Sequence, residues 1–195
     1  IKRKVFGKIY QVNIYCGSDL TFCRKNQNAK NSISLNKSLG GGVLLELSHE
    51  IDYALWFFGE IKNVFAQLNN TKKFNTKVED TANMTFTTKD KINIYMHLNF
   101  WQKGNDRYCE ILGSKGSIKW DLYKRMIIIK LNSENRTIKF NDNLDQSYIN
   151  QIKYFFYGIS NKKTNSICDI KESLKTLNVV DSCKKSFQLK RMIKI

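Results

Sequence analysis

The sequence predicts an α+β fold, one large and mainly antiparallel open sheet with helices packed on a single face. Two observations carry this. Short β-rich segments follow one another between residues 61 and 140, joined by turns such as Lys89-Asp90 and Ser114-Lys115-Gly116 that suit only antiparallel neighbours. Near residue 149 the apolar period lengthens from two to three or four, so the helices gather at the end of the chain. Strands first and helices afterwards is the pattern in which helices collect on one side of a sheet.

Each element follows in order. Residues 5–16 alternate and are rich in β-branched and aromatic side chains, which predicts a strand. Residues 17–38 are polar and predict a long loop, a length usually tied to function or motion. Three glycines at 40–42 introduce a helix whose apolar face is Leu44, Leu47, Ile51, Leu55 and Phe58, and Gly59 stops it. Strands are expected over 61–68, 82–88, 91–100, 107–113, 116–122, 125–131 and 136–140. Ile149, Ile152, Phe156 and Ile159 mark one closing helix; Ile170, Leu174, Leu177, Val180 and Cys183 mark another, and residues 191–195 return as a short edge strand. No repeat or linker divides the chain, so residues 1–195 are expected to form one domain. The segments over 91–97 and 125–131 carry large side chains on both faces, and the helices suffice for only one. The open face is therefore expected to join copies of the chain into a homo-oligomer.

Composition narrows the function. With 195 residues, 42% hydrophobic and 12% aromatic, the chain has globular values and can bury a core without staples. No apolar run approaches the eighteen or so residues of a membrane span, and residues 1–8 lack the features of a signal peptide. A cytoplasmic location without membrane contact is expected. Five cysteines occur without a CxxC pair and only two histidines are present, which predicts reduced thiols and no metal site. The formal charge of +16 satisfies the first step of a nucleic-acid reading. Yet Lys far outnumbers Arg, Asn is abundant, Pro is absent, and the basic residues are spread along the chain. That is the mark of AT-rich codon usage, and nucleic acid is not the expected partner.

The most informative stretch is GGGVLLELSHEIDYALWFFG over residues 40–59. Glu46, His49 and Asp52 are three apart, which puts them along one side of a helix with His49 in the middle. An imidazole flanked by carboxylates suits proton transfer near neutral pH, although the same spacing also fits a polar helix face with ordinary ion pairs.

This stretch resembles the second domain of the glucose–fructose oxidoreductase / inositol dehydrogenase (Gfo/Idh/MocA) family, where three glycines introduce a helix bearing an acid, a His and an Ile-Asp. Three further landmarks in the same order carry the resemblance along nearly the whole chain: EDTA over 79–82, EILGSKGSI over 110–118, and QIKYFF over 151–156 followed by the helix over 169–186. The resemblance implies the substrate-binding and assembly domain of an NAD(P)-dependent oxidoreductase that acts on a hydroxyl of a sugar, a sugar derivative or a sugar nucleotide.

It implies site residues too. His49 falls at the family's catalytic His, which moves the hydroxyl proton, and Glu46 falls near its acidic partner, three residues before the His where much of the family has Asp at four. Of the family subgroup's sugar-gripping loop residues only Arg24 is retained. Trp101 and Arg107, around a loop between strands, are candidates for lining the sugar pocket; a half-buried Trp and a sheet-edge Arg are the plainer alternatives. His97 lies on a strand with no titrating neighbour and is expected to be structural. The family's dinucleotide fingerprint (GxGxxG after a strand) and its Glu-Lys-Pro segment are absent from these residues. NAD or NADP is therefore expected on an N-terminal domain, with none bound by this chain alone. The competing reading is a non-catalytic basic module that assembles with acidic polysaccharide or nucleic acid.

Overall fold

A computed structural model describes residues 5–20, 32–132, 134–141, 144–161 and 169–195. The strands are β1 (Ile9–Asp19), β2 (Ile61–Asn69), β3 (Thr81–Thr88), β4 (Asn93–Asn99), β5 (Trp101–Gly113), β6 (Gly116–Asp121), β7 (Met126–Leu131), β8 (Glu134–Lys139) and β9 (Ile193–Lys194). The α-helices are α1 (Val43–Glu46), α2 (His49–Phe58), α3 (Leu144–Ser160) and α4 (Ile170–Leu189). All strands lie in one sheet, ordered β8-β7-β6-β5-β1-β4-β3-β2-β9. Two meanders, β2-β3-β4 and β5-β6-β7-β8, are joined by β1, which runs parallel to β4 and antiparallel to β5. As the sequence predicts, the last residues return as an edge strand, β9, along β2.

Alternation fixes which face is buried. Val12, Ile14 and Cys16 of β1, Ile94, Met96 and Leu98 of β4, and Ala82, Met84 and Phe86 of β3 point into one core. Ile51, Ala54 and Phe58 of α2 and Val179, Val180 and Cys183 of α4 close over them. Thr176 Oγ1 donates to Asp52 Oδ1 at 3.0 Å and ties α4 to α2. Helix α3 behaves differently. Tyr148, Ile152, Phe155, Phe156 and Ile159 all stay exposed, so the apolar face that the sequence marks there is not buried against the sheet.

Three boundaries differ from the sequence reading, each for a physical reason. Strand β1 runs on to Asp19, because as an interior strand it is paired on both sides and overrides the polar composition that begins at residue 17. Strand β5 begins at Trp101 where a loop is expected. Gly104, at φ 75°, allows a bulge in which β5 uses more residues than β1 between the Gly17–Asp106 and Asp19–Trp101 pairs. The helix over 44–58 is interrupted at Leu47, whose φ and ψ are −103° and 24°, and so becomes α1 and α2.

The glycine run has a local cause. A Cβ on Gly41 would lie 2.6 Å from the Ile33 carbonyl oxygen, and one on Gly42 (φ 120°) would collide with the Glu79 carboxylate. Glu79 reaches the start of α1, where its Oε1 accepts from the Leu44 N–H at 3.3 Å and its carbonyl from Val43 at 3.0 Å.

The open face is less aliphatic than expected, because the aliphatic half of β4 is in the core. Tyr15 stacks on His97 at 5.1 Å and on Tyr108 at 5.4 Å, and Lys119 Nζ sits 3.9 Å from the Tyr108 ring centre. His97 Nδ1 donates to Asn83 Oδ1 (2.6 Å) while Nε2 accepts from Asn99 Nδ2 (3.1 Å), an arrangement that fixes a neutral imidazole. Burial pushes its pKa below the usual value.

Candidate functional site

The site is set by register. Cys16 of β1 lies opposite Arg107 of β5, and Ile14 opposite Cys109. In this register Arg107, Cys109 and Ile111 share the face beneath α2, where a guanidinium needs an acid. Glu50, the second residue of α2, supplies it with no solvent exposure at all. Its Oε1 is 2.6 Å from Arg107 Nε and 3.2 Å from His49 Nε2. Arg107 also lies over the Trp120 ring at 5.7 Å, and Tyr53 meets that ring edge-on at 6.1 Å. A carboxylate taken from water costs several kcal/mol, and only a close cation offsets it, so Arg107 makes the placement of Glu50 tolerable.

Burial dominates the neighbouring titrations. The thiols of Cys16 and Cys109 are pushed up to about 12, first by burial and then by the Glu50 charge. The Tyr53 hydroxyl is raised by the same two causes. Cys16 and Tyr53 abut the Glu50 carboxylate, yet neither is aligned as a hydrogen-bond donor to it, and the Arg107 approach is a close ion pair without ideal alignment. Cys16, His49 and Glu50 bring donor atoms within 4.8 Å of one another, a grouping the sequence did not suggest. We read it as a polar cluster, since Arg107 already balances the carboxylate and the thiol strongly resists ionisation.

Of the predicted residues, the structure brings His49 and Arg107 together through Glu50. His49 is half exposed at the start of α2 and presents an imidazole that can exchange a proton with a ligand. Arg107 is mostly buried and lines a groove of about 750 Å³ together with Leu122, Tyr123, Tyr148, Gln151 and Tyr154. Glu46 is exposed at the end of α1, on the other side of the helix interruption. The acid set against His49 is instead Glu50, and Asp52 is turned to Thr176. Trp101 belongs to another cluster, where its indole N–H donates to Thr81 Oγ1 at 2.7 Å and its ring stands edge-on to His97. Arg24 lies outside the described residues. Glu50 escaped the sequence reading although a signal existed: Arg107 alternates with Cys109 and Ile111 on a core-facing register that demands a buried acid.

Residues 1–119 match the family described as GFO/IDH/MocA C-terminal domain. No curated protein matches the sequence. Among solved structures, levoglucosan dehydrogenase in complex with NADH and L-sorbose is similar at TM-score 0.87 and 17% identity, over 100% of this chain and 60% of that one. An aldose-aldose oxidoreductase from Caulobacter crescentus complexed with glycerol gives 0.84 and 16%, over 100% and 58%. An inositol dehydrogenase homolog from Azotobacter vinelandii complexed with NAD+ gives 0.82 and 12%, over 100% and 60%. The chain thus spans about 60% of the length of the solved structures it resembles, and at these identities the likeness shows the fold.

Proposed function

We propose, on the premise that the chain belongs to the GFO/IDH/MocA family and carries its C-terminal domain, that residues 1–195 are the substrate-binding and assembly domain of an NAD(P)-dependent oxidoreductase. Its substrate is a sugar, a sugar derivative or a sugar nucleotide, oxidised at a hydroxyl. The observation that carries this reading is the half-exposed imidazole of His49 held beside a buried Glu50–Arg107 pair, with Arg107 lining a groove rich in tyrosine and amide groups.

Gly40, Gly41 and Gly42 do not form a dinucleotide cradle. The glycines at 40–42 follow 3₁₀ turns, not a strand, and serve the close approach of Ile33 and Glu79. The nicotinamide, which supplies the hydride acceptor, belongs on a domain outside these residues. Within them, His49 takes the proton of the substrate hydroxyl as its carbon becomes a carbonyl carbon. Arg107 donates to a substrate oxygen in the groove. Glu46, Trp101 and Arg24 remain candidate substrate contacts.

On the family match we place the enzyme in the cytoplasm; no helix among the described residues is long and apolar enough to cross a membrane. Copies join through the open sheet face, which light scattering on the chain checks as a mass above that of the monomer. The function is tested on the complete gene product with NAD or NADP and a panel of sugars and sugar nucleotides. Reduced nicotinamide should accumulate with at least one of them. A folded product inert toward the whole panel would overturn the reading.

A further inference from the structure

We infer that Glu50 is the positioning residue of this site, one buried carboxylate that sets both the imidazole of His49 and the guanidinium of Arg107. The inference rests on the reading of His49 as the acid–base group. Its basis is geometric: the same oxygen, Oε1, lies 3.2 Å from His49 Nε2 and 2.6 Å from Arg107 Nε, on a side chain with no solvent exposure.

Folding alone does not require this arrangement. An apolar pair of similar volume would hold α2 on β5 equally well or better, because it avoids the desolvation of two charges. What the carboxylate adds is orientation. Oε1 faces Nε2 at 3.2 Å as a charge contact without hydrogen-bond alignment, so its charge favours a neutral imidazole with the proton on Nε2 and leaves Nδ1 to accept from a substrate. Arg107 is engaged through Nε, which leaves the Nη donors of its fork for the groove it lines. The other groups facing this centre, Cys16, Tyr53 and Cys109, are held neutral by burial, so Glu50 is the anion that steers the ring.

The first test needs only the 195-residue chain. Its two histidines make assignment simple, with His97→Gln identifying the second signal. In Glu50→Gln the ring nitrogens of His49, followed by nitrogen NMR at alkaline pH, should lose their bias toward the tautomer protonated at Nε2. The Arg107 Nε–H resonance should move in the same variant. Glu50→Asp, which withdraws the carboxylate but keeps its charge, should give a smaller change and serves in its place if the Gln variant does not fold. A folded Glu50→Gln chain with an unchanged His49 tautomer balance and an unmoved Arg107 resonance overturns the inference.

In the complete gene product, Glu50→Gln should lower kcat by roughly 10–100-fold, as losing an orienting partner does elsewhere. His49→Asn separates the two ideas. If His49→Asn keeps its turnover, the acid–base reading fails whatever Glu50 does. If His49→Asn is inactive while Glu50→Gln keeps its rate, only the positioning role fails.

Discussion

Replacing Arg107 by Met should cost this domain about 2–3 kcal/mol, and the reason is the partner it abandons. Removing one member of a buried ion pair typically costs about 3–5 kcal/mol, because the other charge is left without compensation. Glu50 has no exposure, whereas the Arg107 side chain is 22% exposed. Water entering along the vacated path partly solvates the carboxylate, which places the loss below the usual range. Met preserves an apolar stem against Trp120, so lost packing contributes little. For a chain of this size the loss corresponds to a drop of roughly 5–10 °C in Tm. Glu50→Gln should cost less, about 1 kcal/mol, since the Arg107 head can be rehydrated where it stands. The double variant should be less destabilised than the sum of the singles by at least about 1 kcal/mol, the signature of two groups in contact. Urea and thermal unfolding followed by circular dichroism measure all four proteins. A loss below about 0.5 kcal/mol in Arg107→Met, or strict additivity in the double variant, would refute the claim that the pair is coupled and buried.

Stability should also fall as pH drops. Burial lowers the pKa of His97 in the folded state below its ordinary 6.5, so the unfolded chain takes up the proton first. This contribution is complete above about pH 6.5 and is lost progressively as pH falls from there toward the folded value. Urea midpoints measured from about pH 7.5 down to about pH 5, on either side of the ordinary imidazole value, should decline, and His97→Gln should flatten the slope. With thiols pushed up to about 12, Cys16, Cys109 and Cys183 should resist alkylation in the folded chain at pH 8 and react only on unfolding, which mass spectrometry resolves site by site. In the complete gene product, His49→Asn should reduce turnover by roughly 10²–10⁴-fold and leave Tm nearly unchanged, because the side chain is half exposed; near-normal turnover in a folded variant would end the catalytic assignment.

Much of the fold was legible because period and turn chemistry agree. Strands β3 and β4 alternate between buried and more exposed positions, and the short turns from β3 to β4 and along β5, β6, β7 and β8 leave no room for crossovers, so those neighbours pair antiparallel. What could not be read is where β1 goes. Its alternation fixes a strand, but its insertion between β4 and β5, parallel to one and antiparallel to the other, depends on pairing about eighty to a hundred residues away. Helix α3 shows a different limit. Period identified its residues but carried no information on whether anything covers them, and Phe155 and Phe156 remain exposed.

The site divides along the same line between local and non-local information. His49 is conspicuous in sequence because a spacing of three on a helix suggests a flanked imidazole. That reasoning assumed one continuous helix, and the interruption at Leu47 removes the assumption, setting Glu46 and His49 in different helices. The acid that meets His49 is its immediate neighbour, Glu50, a pairing that helical spacing argues against for exposed side chains. It becomes possible because the carboxylate is drawn inward by Arg107 from a strand 57 positions further along the chain, and Oε1 then lies within reach of both. The sequence clue was therefore in β5 and not in the helix. Beside Cys109 and Ile111 on the core-facing register, an arginine is intolerable alone, and a buried acid must be sought on whichever element covers it. Among the described residues, only one element covering that register carries an acid with no exposure, and it begins with His49.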